Sequence, residues 1–238
     1  MRLVSEWEPS LRTPSIKTDK AMTKLLPGVI AMATIVVASN ILVQFLLLDG
    51  LLTWGAFTYP FAFLVTDLMN RVYGPAAARR VVFVGFVTGI ICSLIGSQIM
   101  FESEYGPYAA VAFRVAIGSG IAFLTAQLVD VAIFDRLRSG AWWRAPLAST
   151  VIGSALDTAI FFTIAFSASV PFFSKAHNAE ISWAWDSAPL LLFGGDAPLW
   201  VSLAIADWGV KLLLALIALV PFRVLVARLQ ANTTSVAN

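Results

Sequence analysis

Charge is what this sequence has least of. Of 238 residues, 13% are Asp, Glu, Lys or Arg and 59% are apolar, with a mean hydropathy of +0.83. Soluble domains carry about 25% charged and about 45–50% apolar residues. A water-soluble enzyme, a nucleic-acid binder and a disordered chain are therefore disfavoured from the outset. The net charge of +2 is too small to imply an acidic partner. Cysteine occurs once, as Cys92, which rules out an internal disulfide and a multi-cysteine metal site. Histidine also occurs once, as His177, with no Cys or His at ligand spacing, so neither zinc nor a membrane-buried Ser/His catalyst fits. No Gly-rich loop leads into Gly-Lys-Ser/Thr, so this chain does not hydrolyse ATP. The Tyr-Asp and Gly-x-Gly-Asp contexts of membrane aspartyl proteases are missing as well. The chain reads as a non-enzyme with no cofactor and no metal.

What is abundant is apolar run length. A spanning helix needs about 20 mostly apolar residues, and six stretches qualify: Pro27–Leu48, Leu51–Asn70, Val81–Phe101, Ala109–Phe134, Ala145–Val170 and Pro198–Phe222. Asp49-Gly50 separates the first two as a tight helical hairpin. No alternating strand pattern supports a barrel, so the expected fold is an all-α integral membrane protein of six transmembrane helices. Lys and Arg set its orientation. Of the 16 basic residues, all but Arg114, Lys175 and Lys211 fall in the N-terminal arm, after span two, after span four or in the tail. The opposite side has Asp49, Glu102, Glu104, Glu180, Asp186 and Asp196. Both termini are expected in the cytoplasm. The division is a 1–26 cytoplasmic arm, a 27–222 transport domain and a 223–238 tail. The arm lacks the apolar core and cleavage site of a signal peptide. The outer stretch Pro171–Ala197, with Trp183, Trp185 and Gly194-Gly195, is too short for a catalytic domain.

Ionisable residues inside spans are costly and mark function by default. Asp207 and Lys211 lie four residues apart near the middle of span six, acid before base, the favourable order on one face. Trp200 falls on that face too. Span five carries Thr150, Ser154, Asp157 and Thr158 as one stripe, with Phe161 a turn beyond. Asp157 has no base one turn away, so either another helix neutralises it or it carries a proton. Span four places Gln127 and Asp130 together and holds Arg114, expected to snorkel outward; span one has Asn40 and Gln44 on one face. The candidate binding set is Asp157, Asn40, Gln44, Gln127, Asp130, Phe161, Trp200, Asp207 and Lys211. At the cytoplasmic end, Asp67 and Arg71 are spaced for an i,i+4 pair, Tyr73-Gly74-Pro75 stops a helix, and Arg79 and Arg80 follow; these four charged residues are read as gate or structural. A scaffold whose charges merely join helices is the competing reading.

Certain runs have a specific order: Tyr59-Pro60-Phe61, Thr66-Asp67-Leu68, Arg71-Val72-Tyr73-Gly74, Ala78-Arg79-Arg80, Gln127 to Asp130-Val131, Trp142-Trp143-Arg144, Ser149-Thr150 to Asp157-Thr158, and Asp207 to Lys211. Together they closely resemble the queuosine precursor transporter family, the YhhQ-like vitamin uptake transporters, from span one to span six. The outer loop before span six is longer than that family's pattern. The resemblance implies a bacterial inner-membrane importer of 7-cyano-7-deazaguanine and 7-aminomethyl-7-deazaguanine, precursors of tRNA queuosine. It also implies a helical fold of the type of energy-coupling-factor substrate-binding subunits. Another vitamin-like or purine-like heterocycle fits the same residues. The expected partners are the small-molecule substrate and membrane lipid, without nucleic acid; a homodimer and an external energising module both stay open.

Overall fold

The computed structural model describes residues 16–43, 45–48, 51–103 and 106–235. Its long elements are α1 (Ile16–Leu42), α4 (Pro75–Gly96), α5 (Phe113–Leu137), α6 (Arg144–Phe166) and α8 (Leu199–Ser235). Between α1 and α4 lie the short α2 (Gly55–Thr58) and α3 (Phe61–Tyr73). The small α7 (Lys175–Ala179) sits between α6 and α8. Among the described residues, five helices are long and apolar enough to cross a membrane. Their outer surfaces leave Phe83, Leu94, Leu213 and Val220 more than half exposed, the surface of a chain whose solvent is lipid rather than water.

Two expectations about the first third of the chain need correction. The first span does not run to Leu48: α1 ends at Leu42, and β1 (Leu46–Leu47) pairs antiparallel with β2 (Leu52–Thr53). The connection is a strand hairpin, not a helical one. The second span is not one unbroken helix either. Pro60 has no N–H to donate and its ring disfavours a continuous helical ladder, so α2 and α3 meet at a Tyr59-Pro60 step. Further hairpins, β3 (Met100–Ser103) with β4 (Gly106–Ala109) and β5 (Ser187–Pro189) with β6 (Asp196–Pro198), join α4 to α5 and precede α8. At the last span, the helix passes Pro221 and continues through Arg223 and Arg228.

Gly74 ends α3 with φ of 85°, a left-handed conformation that side-chain-bearing residues resist, and Pro75 starts α4. The core between α1, α3, α4 and α5 contains Met32, Val36, Val65, Val82 and Phe123. The most extensively packed helix pair is α5 with α6. A Cβ at Gly118 would lie 3.2 Å from the Ala165 nitrogen and the Phe161 carbonyl, tighter than ordinary packing, so a side chain there would push the two backbones apart. Burial at that seam brings polar residues from α5 and α6 against each other and against α3 and α8.

Arg114 does not snorkel. It is fully buried, and its guanidinium donates to the carbonyls of Ile164 (2.8 Å from Nη2) and Ser167 (2.7 Å) and to Asn178 Oδ1 (2.8 Å). The last carbonyls of α6 have no partner within their own helix, and a cation is favoured at that end. Capping α6 therefore gives Arg114 more than the lipid interface could.

Candidate functional site

The side chains that collect at mid-depth come from three elements. Lys211 of α8 donates to Asp157 Oδ2 of α6 at 2.7 Å and Asp207 Oδ2 of its own helix at 2.6 Å. Its third proton goes to Thr158 Oγ1 at 3.0 Å, which uses all the ammonium donors. Thr158 in turn donates to Asp207 Oδ2 at 2.9 Å. From the Tyr59-Pro60 step, the Tyr59 hydroxyl donates to Asp157 Oδ1 at 3.2 Å, and its ring lies 5.5 Å from the Lys211 ammonium. The base that Asp157 lacks on its own helix thus arrives from α8. Two carboxylates share one lysine, with Asp157 and Lys211 buried and the Asp207 side chain 16% exposed. Among the described residues nothing donates to Asp207 Oδ1.

This triad closes a cavity of about 770 Å³. Its walls include Asn40, Tyr59, Phe161, Phe162, Phe166 and Trp183. The aromatic wall is packed edge to face, with Phe161 centred 5.1 Å from Phe162 and 5.9 Å from Phe166. Residues of the β1–β2 and β3–β4 hairpins and of the segment around Glu180 line it as well, so those connections converge on one mouth. The volume falls within the range of small-molecule sites, about 300–1,000 Å³, as does the mix of apolar wall and few polar groups.

Of the residues expected to bind, Asp157, Asp207, Lys211, Asn40 and Phe161 meet here. Asn40 directs its amide back to the Val36 carbonyl at 2.8 Å. Gln44 lies outside the described residues. Trp200 does not line the cavity but packs against the buried cluster that holds Phe162 and Ile181. Tyr59 and Thr158 were not singled out as site residues. Tyr59 carried a signal as a polar aromatic before a helix-breaking proline; Thr158 stood in the stripe beside Asp157.

Gln127 and Asp130 lie elsewhere. Seven residues before Asp157 on α6, about 10 Å along the axis, Thr150 donates to Asp67 Oδ2 at 3.3 Å and Ser149 to Oδ1 at 3.1 Å. Asp130 of α5 lies against the same stretch of α6, where a Cβ at Gly153 would stand 3.4 Å from its own Cβ, and Asn70 of α3 donates to the neighbouring Val131 carbonyl at 2.9 Å. Gln127 accepts from Thr66 at 2.6 Å. The expected Asp67–Arg71 ion pair does not form. Asp67 faces α6, while Arg71 donates to the Arg138 carbonyl at 2.6 Å and Arg138 reaches back to the Asn70 carbonyl at 3.3 Å. Each arginine thereby caps the other helix's C-terminus. Arg79 and Arg80 are exposed at the start of α4. No group of three or more His, Cys, Asp or Glu suited to a metal occurs among the described residues.

A family described as "Putative vitamin uptake transporter" matches residues 53–226. The chain belongs to this family. Its members are named for transport rather than for catalysis. The chain is 38% identical over 157 residues to the "Queuosine precursor transporter" of Escherichia coli K12, a match covering 62% of this chain and 71% of that one. It is 39% identical to the "Probable queuosine precursor transporter" of Haemophilus influenzae, over 55% of this chain and 59% of the relative. A Bacillus subtilis protein of the same designation is 31% identical over 48% of this chain and 56% of its own length. No solved structure matches. The family match and the apolar helices make this a multi-pass membrane protein.

Proposed function

We propose that this chain imports queuosine precursors, 7-deazaguanine bases such as 7-cyano-7-deazaguanine and 7-aminomethyl-7-deazaguanine, across a bacterial inner membrane. The carrying observation is the aromatic cavity closed by the Asp157–Lys211–Asp207 triad, in a chain whose relatives bear that transport name. A deazaguanine presents a ring N–H and an exocyclic amino group side by side, two donors for one carboxylate. Asp207, with Oδ1 unoccupied and part of its carboxylate exposed, receives them; Asp157 and Tyr59 hold Lys211 beside it. Flat rings stack on aromatic faces, here Phe161, Phe166 and Trp183.

In this reading the chain has six spans, with α2 and α3 forming a broken second one; Gly55 to Tyr73 rises about 28 Å. The basic residues Arg79, Arg80, Arg136, Arg138, Arg144 and Arg223 mark the cytoplasmic end by the positive-inside rule. Both termini are then cytoplasmic, flanking a 27–222 transport domain, and the cavity mouth opens outward beside Glu180. With an external energising module, or as a homodimer, the chain would supply the substrate site; alone it is a secondary transporter. The buried ionisable groups favour the second arrangement.

The test is uptake of labelled 7-deazaguanine bases in cells unable to make queuosine, scored by queuosine appearing in tRNA. Queuosine should appear only when the chain is expressed. Its absence, with the protein confirmed in the membrane, would overturn the reading. Ligand-induced thermal stabilisation of purified protein separates transport from scaffolding, because a scaffold gains nothing from the bases.

A further inference from the structure

Away from the cavity, two buried carboxyls from α3 and α5 meet one stretch of α6, Asp67 at Ser149 and Thr150 and Asp130 beside Gly153. Asp67 is 2% exposed and Asp130 fully buried. Asp67 has both oxygens satisfied by Ser149 and Thr150. Asp130, packed against Gly153 one turn along α6 from Ser149 and Thr150, has no donor for either oxygen among the described residues. The amide nitrogen of Gln127, one turn before Asp130 on α5, is likewise buried without an acceptor. Two carboxylates hold only acceptors, so no hydrogen bond can join them unless a proton lies between. Neighbouring carboxyls buried together do not both stay ionised.

One cation lies near without pairing: Arg71, one turn after Asp67, acts on it electrostatically but makes no ion pair with it. On α3, Arg71 turns to the Arg138 carbonyl and lies 5.1 Å from the Phe134 ring. On α5, Arg138 pairs with Asp135 at 3.0 Å. From α6 come the uncharged Ser149 and Thr150. From α8 the residues beside Asp67 are Leu214, Ala215, Ala218, Leu219 and Phe222, none titratable. Among the described residues no ion pair reaches either acid. The cavity next to Asp67 and Thr150 has a volume of about 20 Å³, enough for one water and too small for a heterocycle.

We propose that Asp67 and Asp130 share a single proton and form the site at which this transporter binds its coupling ion. The inference rests on the transport reading above and adds its energy source. The same helix, α6, carries both sites, Thr150 at the acid pair and Asp157 at the cavity floor. A shift of α6 against α3 and α5 that admits the proton therefore also moves the substrate site.

Two measurements test it. Infrared difference spectroscopy of the purified full chain, without substrate, reads the carbonyl stretch of a protonated carboxyl. At neutral pH the wild type should show one such band, lost in Asp130→Asn, where Asp67 ionises on Ser149 and Thr150. In proteoliposomes with the membrane potential clamped at zero, labelled 7-cyano-7-deazaguanine should accumulate up to about tenfold per pH unit of inward proton gradient. Asn mimics the proton-loaded state, so Asp130→Asn should bring that ratio down to one. No protonated-carboxyl band in the wild type, a band unchanged in both Asp130→Asn and Asp67→Asn, or accumulation set by sodium would overturn the proposal. If 7-deazaguanines are not transported at all, the substrate reading fails while the infrared result still decides the shared proton.

Discussion

The two polar sites of this molecule are built on one helix and solve the same problem in opposite ways. At Asp157 and Asp207, burial is offset by Lys211, whose three donors are all engaged. At Asp67 and Asp130 there is no lysine, only hydroxyls on one acid and nothing on the other. The first site adjoins a cavity of about 770 Å³, the second one of about 20 Å³. A fixed internal cation ties three side chains into one geometry, which suits recognition of a shaped ligand. An acid pair without a cation changes charge by gaining or losing a proton, which suits coupling. Both functions need intramembrane carboxyls; the partner of each carboxyl decides which one it serves.

The largest effect should come from removing the cation. Lys211→Met leaves Asp157 and Asp207 buried and unpaired, and breaking a buried pair from one side costs about 3–5 kcal/mol. Thermal unfolding in detergent should show severe destabilisation, partly recovered when Asp157→Asn is added, and uptake should vanish in both. A stable, transporting Lys211→Met variant would break the contrast. Next comes Asp207→Asn, which keeps the shape but swaps an acceptor for a donor. Truncating a buried charge contact to a ligand costs about 2–5 kcal/mol, or about 30- to several-thousand-fold in affinity. Asp157→Asn should lose affinity and also stability, because Asp157 holds Lys211 directly. A normal ligand-induced thermal shift in Asp157→Asn would remove that residue from the site.

The sequence made the long apolar helices, the Gly74-Pro75 turn and the intramembrane acids visible, because each is a property of a single segment. The Asp207–Lys211 pair was visible for the same reason: it lies within one helix. Partners on other helices were not. Lys211 reaches Asp157 across 54 positions, and Ser149 reaches Asp67 across 82. Helical periodicity tells which residues share a face but not which helix that face meets. The Asp67–Arg71 expectation failed on this point, since α6 hydroxyls and the α5 terminus offered better partners than the neighbouring turn. Arg114 failed likewise: only the packed structure brings the open end of α6 to its guanidinium.

Tyr59→Phe sharpens the comparison on the cavity side. The ring stays over Lys211 and only the hydroxyl is lost, at a bond of 3.2 Å. One hydrogen bond of this kind is worth about 1 kcal/mol, so binding titrations should show affinity falling about fivefold. Stability should change little. A loss as large as that of Asp207→Asn would mean that Tyr59 itself contacts the substrate.

The smallest stability change is expected where charge is removed rather than orphaned. Asp130 has no hydrogen-bond donor for either oxygen, so Asp130→Asn abandons no protein contact. The substitution adds an amide donor on the α5 face beside Asp67, and a like-charge neighbour is replaced by a neutral one. Exchanging a poorly compensated buried ionisable group for a neutral one is often neutral or stabilising. Thermal unfolding of Asp130→Asn should therefore stay within about 1 kcal/mol of wild type, against the severe loss in Lys211→Met. Asp67→Asn should cost somewhat more, because the Ser149 and Thr150 hydroxyls then meet a half-donor group. Measured side by side in the same detergent, the two acid variants should lower coupled uptake yet leave ligand-induced stabilisation by the deazaguanine in place. An Asp130→Asn variant as unstable as Lys211→Met would show that a counter-charge holds this acid after all. The distinction between a cation-locked site and a proton-bearing one would then be lost.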